Sequence, residues 1–163
     1  MVESIPIPRI YLDVRCLNRP FDDQRQDRIR LEAEAVLLIL GRCEAGTWQW
    51  LSSAVVEEEV NHTPSSERRS RVRQMLSGAH DTVALTDVAI TRAQELKALG
   101  FRTYDALHLA CAEQATVDIF LTSDDRVLRI ATRHTAQLQV RVANPLDWLF
   151  CQLPTFFQLG DLG

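Results

Sequence analysis

The sequence predicts an α/β fold, a three-layer α/β/α sandwich built on a mainly parallel sheet. Three observations predict it. Short apolar runs rich in β-branched residues alternate with longer stretches of helical periodicity. The spacing of that alternation fits βαβ units. No repeat or low-complexity segment interrupts it. At 163 residues the chain suits one domain of ordinary size, assigned to residues 1–150 with a C-terminal tail at 151–163.

The elements follow in order. Ile5 to Leu12 is short and apolar, with prolines only near its start, and reads as a buried strand ending at Asp13. A polar, turn-rich stretch from Asn18 to Asp23 follows. From about Gln24 to Ala45 the pattern is helical, with Ile29, Ala33, Val36, Leu37 and Leu40 on one face and Gly46 as the stop. Trp48 to Leu51 reads as a second strand, and Ser52 or Ser53 caps a helix from Ala54 to about Asn61. After the break at Pro64 comes a basic helix to about Leu76, ended by Ser77-Gly78. Val83 to Leu85 is a brief strand. Thr86 or Asp87 caps a helix to Leu99, closed by Gly100. Thr103 opens a helix to about Ala115, Ile119 to Thr122 is a strand, and Arg126 to His134 is a short helix. Val140 to Val142 is the last strand before Asn144-Pro145. The tail from Cys151, with Phe156, Phe157, Gly160 and Gly163, reads as a packed extension or a frayed end.

The apolar fraction of 46% and charged fraction of 25% are those of a soluble globular protein. No apolar run approaches the roughly 20 residues that span a bilayer, so no membrane association is expected. The stretch Met1 to Pro6 lacks the basic and apolar regions of a secretory signal, which makes the cytoplasm the default location. Cys16, Cys43, Cys111 and Cys151 form no CxxC pair and read as reduced thiols in or near the core rather than as zinc ligands.

A net charge of −4 is not the basic footprint usual in nucleic-acid binders. The distribution qualifies this, because 17 of the 18 basic residues are arginine and only Lys97 is lysine. Arg68, Arg69, Arg71 and Arg73 cluster, as do Arg126, Arg129 and Arg133. The guanidinium fork suits phosphate oxygens, but the plainer reading of each cluster is a solvated helix face.

In an open parallel sheet, sites form beyond the carboxyl ends of the strands. Asp13 follows the run Ile10-Tyr11-Leu12, and Asp124 follows Leu121-Thr122-Ser123. Asp105 lies in the first turn of the helix from Thr103, and Glu57, Glu58 and Glu59 lie on the helix after the second strand. Each has an innocent alternative. Asp105 suits the helix dipole, Asp124 suits a cap, and the glutamates suit a solvated face. Asp13 is hardest to dismiss, since a carboxylate ending an apolar strand is expensive to bury unless paired or metal-bound. Gathered together, such acids repel, and a hard divalent ion with oxygen ligands relieves the repulsion. That ion can activate water for attack on a phosphodiester.

The segments Ile10-Tyr11-Leu12-Asp13, the acid-bearing helix at Val55 to Val60, Tyr104-Asp105-Ala106-Leu107-His108-Leu109-Ala110, Leu121-Thr122-Ser123-Asp124 and Val140 to Pro145 stand in PIN-domain order and spacing. Over residues 7–150 the sequence resembles the PIN-domain family, VapC-like toxin ribonucleases in particular. The resemblance implies a five-stranded parallel sheet and Mg²⁺- or Mn²⁺-dependent cleavage of RNA. Asp13, Asp105 and Asp124 would hold the metal and be catalytic, with Glu59 as the fourth acid. Glu59 has the best apolar framing by Val55, Val56 and Val60; Glu58 is the runner-up and Glu57 lies on a different face. The implied partners are an RNA substrate, an antitoxin protein that silences the toxin, and a second copy of the chain in a homodimer.

The pattern departs from the family at Arg15, two residues after the first acid, where Asn or Ser is usual. An arginine there either contacts substrate phosphate or competes with the metal. Asp125 is a water-mediated metal ligand or a surface or capping residue. His108, one turn after Asp105, reads as a partly buried structural residue ahead of a general acid or base. Thr122 and Ser123 either bond a metal-bound water or phosphate or merely end the strand. Two other functions compete: a PIN-like RNA- or protein-binding module with weakened catalysis, favoured by Arg15, and an aspartyl-nucleophile phosphatase. The phosphatase is disfavoured because Asp13 is followed by Val14-Arg15 rather than a second nearby aspartate.

Overall fold

A computed structural model describes residues 6–153 of the chain. The sheet has five strands, all parallel: β1 (Arg9–Leu12), β2 (Gln49–Ser53), β3 (Asp81–Val83), β4 (Ile119–Leu121) and β5 (Arg141–Ala143), in spatial order β3-β2-β1-β4-β5. Eight α-helices complete an α/β/α sandwich: α1 (Val14–Asn18), α2 (Asp27–Glu44), α3 (Ala54–Asn61), α4 (Ser66–Leu76), α5 (Asp87–Ala98), α6 (Thr103–Gln114), α7 (Asp125–Arg133) and α8 (Pro145–Gln152). The chain winds outward from β1 to β3, then crosses back through α5 and α6 to lay β4 on the other side of β1. The winding therefore reverses between β1 and β4, and at such a reversal the connections leave the strand ends in opposite directions and open a crevice.

The central strands are apolar because both their faces are covered. Ile10, Tyr11, Leu12, Phe120 and Leu121 are all buried, each such side chain stabilising by about 1.5–3 kcal/mol. Tyr11 is registered against Phe120 and stacks on it at 5.2 Å. α2 packs with α8, α5 with α6 and α6 with α3, and Trp48 meets Trp148 edge to face at 4.8 Å.

Several boundaries differ from expectation. β1 begins at Arg9 rather than Ile5, consistent with Pro6 and Pro8 having no N–H to donate to a ladder; Ile5 itself lies outside the described residues. The third strand is Asp81–Val83, not Val83 to Leu85. On α2, Ala33 and Val36 are buried as expected, but Leu37 is 54% exposed, and the core face continues through Ala35, Ile39 and Cys43 instead. α1 and α8 were not anticipated. α8 has Asn144 as its cap, accepting from Leu146 N–H, and Pro145 at its first position, so Asn-Pro not only follows the last strand but opens a helix. Cys16, Cys43 and Cys111 are buried and Cys151 is exposed, all as free thiols. The expectations for Met1 to Ile5 and for Phe156, Phe157, Gly160 and Gly163 lie outside the described residues.

Candidate active site

Asp13, Glu59, Asp105 and Asp124 line one cleft of about 240 Å³, together with Val14, Arg15, Arg102, Thr103, Tyr104 and His108. Its floor is the crevice between β1 and β4. Asp13 leaves β1 as the N-cap of α1, its N–H donating to Leu121 O at 3.2 Å and its Oδ1 accepting from Cys16 N–H at 3.0 Å. Asp124 leaves β4 as the N-cap of α7, with Oδ1 accepting from Arg126 N–H at 2.9 Å. Asp105 lies in the first turn of α6, and Glu59 comes from α3, which begins where β2 ends. Glu57 and Glu58 are exposed and outside the cleft lining. The capping reading of Asp124 and the cleft reading are both satisfied by one side chain.

Burial and crowding set the electrostatics. Asp13 is only 3% exposed, and burial raises its carboxyl above the ordinary value, against the lowering effect of hydrogen bonds from Thr122 and Cys16. Asp105 is pushed up to about 6, first by burial and then by the charges of Asp13, Asp124 and Glu59, with His108 acting against them. Asp105 also has no hydrogen-bond or ion-pair partner among the described residues. It is a carboxylate in want of a cation.

Glu59 is held from below. Its Oε2 lies 2.9 Å from His108 Nε2, and His108 Nδ1 lies 2.7 Å from the Tyr11 hydroxyl. That hydroxyl is 2.7 Å from Ser53 Oγ, which accepts from Val56 N–H as the cap of α3. With Nε2 donating to the carboxylate, Nδ1 accepts from Tyr11 and Ser53 donates to Tyr11, so every link carries one proton. His108 is thus buried and structural, as the sequence favoured, yet it also aims a cleft acid. Tyr11 and Ser53 were missed as site residues. The available signal was a tyrosine hydroxyl inside an apolar strand, which needs a partner.

Arg15 neither floats free nor replaces a small polar residue neutrally: its Nε pairs with Asp124 Oδ2 at 3.0 Å. Asp125 turns away and pairs bidentately with Arg28 at 2.6 and 2.8 Å, outside the cleft. Thr122 Oγ1 accepts from Asp124 N–H at 3.1 Å and so also shapes the turn. The arginines of α4 are engaged locally: Arg68 with Asp22 and Phe21 O, Arg69 with Thr63 O, Arg71 with Glu67 and Arg73 with Asn61. Arg102, by contrast, lines the cleft at the N-terminus of α6, and its side chain has no hydrogen-bond or ion-pair partner among the described residues.

Among the described residues no three His, Cys, Asp or Glu side chains are gathered ready to grip one ion as they stand. Asp124 is turned to Arg15 and Glu59 to His108. In kind, however, the donors suit a hard divalent ion: four carboxylates, one of them partnerless and raised to about 6 by its neighbours.

The profile of the PIN domain matches residues 10–133. The chain belongs to the PIN domain family. PIN domains are typically nucleases that use divalent metals, and the matched span carries all four acids. Among solved structures this PIN domain is similar to FitAcB from Neisseria gonorrhoeae, with 17% identity, 83% of this chain and 97% of that chain covered, and a TM-score of 0.55. It is also similar to VapBC2 from Rickettsia felis, solved bound to a DNA fragment from their promoter, with 16% identity, 83% and 98% coverage, and a TM-score of 0.54. At such identities the likeness is one of fold. A search of curated proteins returned no match. No helix among the described residues is long and apolar enough to cross a membrane.

Proposed function

We propose that this PIN domain is a Mg²⁺- or Mn²⁺-dependent endoribonuclease, acting as the toxin of a toxin–antitoxin pair. The observation that carries the reading is the convergence of Asp13, Glu59, Asp105 and Asp124 on one cleft at the β1/β4 reversal. Asp13, Asp105, Asp124 and Glu59 are the residues that would hold the metal. When bound, the ion supplies an activated water and neutralises charge gathering on the phosphate. The protein's own part is positioning. Asp13 is fixed by the Cys16 N–H, Glu59 is aimed by His108, and Asp105 is left without a competing partner. Arg102 stands on the rim with its guanidinium uncommitted, suited to a non-bridging phosphate oxygen of the strand. The antitoxin, a protein that occludes the cleft, and a homodimeric state are proposed from the family resemblance; the likeness in fold to FitAcB and VapBC2 supports the comparison.

The test is cleavage of mixed single-stranded RNA in Mn²⁺. The parent protein cuts, and Asp13→Asn and Asp105→Asn each lose at least about a hundredfold in rate. Equal cutting by parent and Asp13→Asn would refute the site. A second reading, an RNA- or protein-binding module with weakened catalysis, is favoured by one observation, the Arg15 guanidinium seated on Asp124. The same assay separates the two, because that module retains RNA without cutting it.

A further inference from the structure

We propose that Arg15 is an exchanging cation with two posts: Asp124 while the cleft holds no divalent ion, and an RNA backbone phosphate in the adjoining groove once such an ion takes Asp124. The inference rests on the nuclease reading and assigns Arg15 a role within it.

Asp124 has two carboxylate oxygens. Oδ1 accepts from the Arg126 N–H at 2.9 Å, and Arg15 Nε lies on Oδ2 at 3.0 Å, so each oxygen of this carboxylate already carries a donor. Arg15 and a divalent ion therefore compete for the charge of one carboxylate, and two cations close to a shared carboxylate repel. Leaving is cheap for Arg15. Its side chain is 61% exposed, and the contact through Nε is its only ion pair among the described residues. The Asp124 side chain is 10% exposed, so the pair is open to solvent on the arginine side, where water can take over the guanidinium's hydrogen bonds.

A destination is already built. Arg15 also lines a neighbouring groove of about 380 Å³ that shares Val14 and Glu59 with the acid cleft and continues past Asn18, His62 and Thr63. Two other arginines line that groove, but both are tied down: Arg68 to Asp22 at 2.8 Å, and Arg19 to Asp22 at 3.1 Å and Glu32 at 3.4 Å. Arg15 is the one of the three whose carboxylate partner is a proposed metal ligand. Once displaced, its planar fork suits a phosphate oxygen pair. Arrival of the ion and capture of the substrate are thereby coupled through one side chain.

The experiment uses the full chain as parent, Arg15→Ser and Arg15→Lys, with thermal unfolding confirming that all three fold. Mn²⁺ binding is measured by titration calorimetry without RNA, and KM and kcat for a single-stranded RNA are measured at saturating Mn²⁺. Arg15→Ser is expected to bind Mn²⁺ about two- to fivefold more tightly than the parent, while its KM for RNA rises several-fold and its kcat changes little. Arg15→Lys follows the parent in Mn²⁺ affinity. Unchanged or weaker Mn²⁺ binding by Arg15→Ser overturns the exchange, as does an unchanged KM. If the parent binds Mn²⁺ and cuts RNA but Arg15→Ser behaves identically, the exchange alone fails. If neither protein binds Mn²⁺, the metal-dependent reading fails with it.

Discussion

Asp105 links the electrostatics of the cleft to a measurable stability. Its carboxyl sits at about 6 when folded against 3.8 for the ordinary value, so the folded protein holds a proton that the unfolded chain has released. Stability therefore falls as pH rises from about 4 to about 6, and above that window the cost is fully present. Asp105→Asn removes it. With a discount for the partial exposure of the site, the ion-free variant is expected to exceed the parent at pH 7.5 by about 1 kcal/mol, or about 2–4 °C in Tm. The gap should close near pH 4. Millimolar Mn²⁺ should raise the Tm of the parent by mass action but not that of the variant. Thermal denaturation at the two pH values checks this, and a variant less stable than the parent at both contradicts it. The location of Asp13 and Asp124 was legible in the sequence because Asp13 directly follows an apolar strand and Asp124 stands just beyond the end of another. The ion pair of Arg15 with Asp124 was not, since it joins residues 109 positions apart by side-chain direction alone. The arrangement of His108, Tyr11, Ser53 and Glu59 was hidden for the same reason.

At the scale of elements, α2 is fastened by a buried acid. Glu32, 1% exposed, accepts from Asn144 Nδ2 at 2.6 Å and from Arg28 Nε at 3.1 Å, and lies 3.4 Å from Arg19. It thus ties α2 to the 3-10 turn Arg19–Phe21 and to the cap of α8. Arg28 continues the chain of contacts to Asp125, the residue after Asp124. Glu32→Ala leaves these donors facing a void, and the expected loss is about 3 kcal/mol, lowering Tm by about 6–12 °C; Glu32→Gln should lose less because an acceptor remains. A urea or thermal titration within error of the parent would show that solvent substitutes for the carboxylate. The helices with strong punctuation were readable: Ser53 before α3, Pro64 before α4, Thr86 before α5. α1 was not, because five residues carry too little periodicity to register. The buried face of α2 was misjudged at Leu37 because the apolar positions of that helix run almost all the way round, and only packing against α8 and the sheet selects among them.

At the scale of the whole molecule, one sheet reversal brings four segments of chain to a single acidic cleft in a protein of net charge −4. If the protein is a toxin, its expression without a partner in a bacterial host should slow growth, and Asp13→Asn should relieve the effect. Growth curves under matched soluble expression measure this, and normal growth with the parent counts against toxicity in that host. A mainly parallel sheet was legible from alternation and spacing, and its five strands from the family resemblance, whereas the strand order β3-β2-β1-β4-β5 came only with the structure; the edge strands β3 and β5 were each shifted by one or two residues. The most direct measurement for the central claim is anomalous diffraction at the manganese edge from crystals grown or soaked in Mn²⁺. The account predicts a peak in the cleft about 2 Å from carboxylate oxygens of Asp13 and Asp105, with Asp124 released from Arg15. Full-occupancy manganese elsewhere and none among these acids would contradict it.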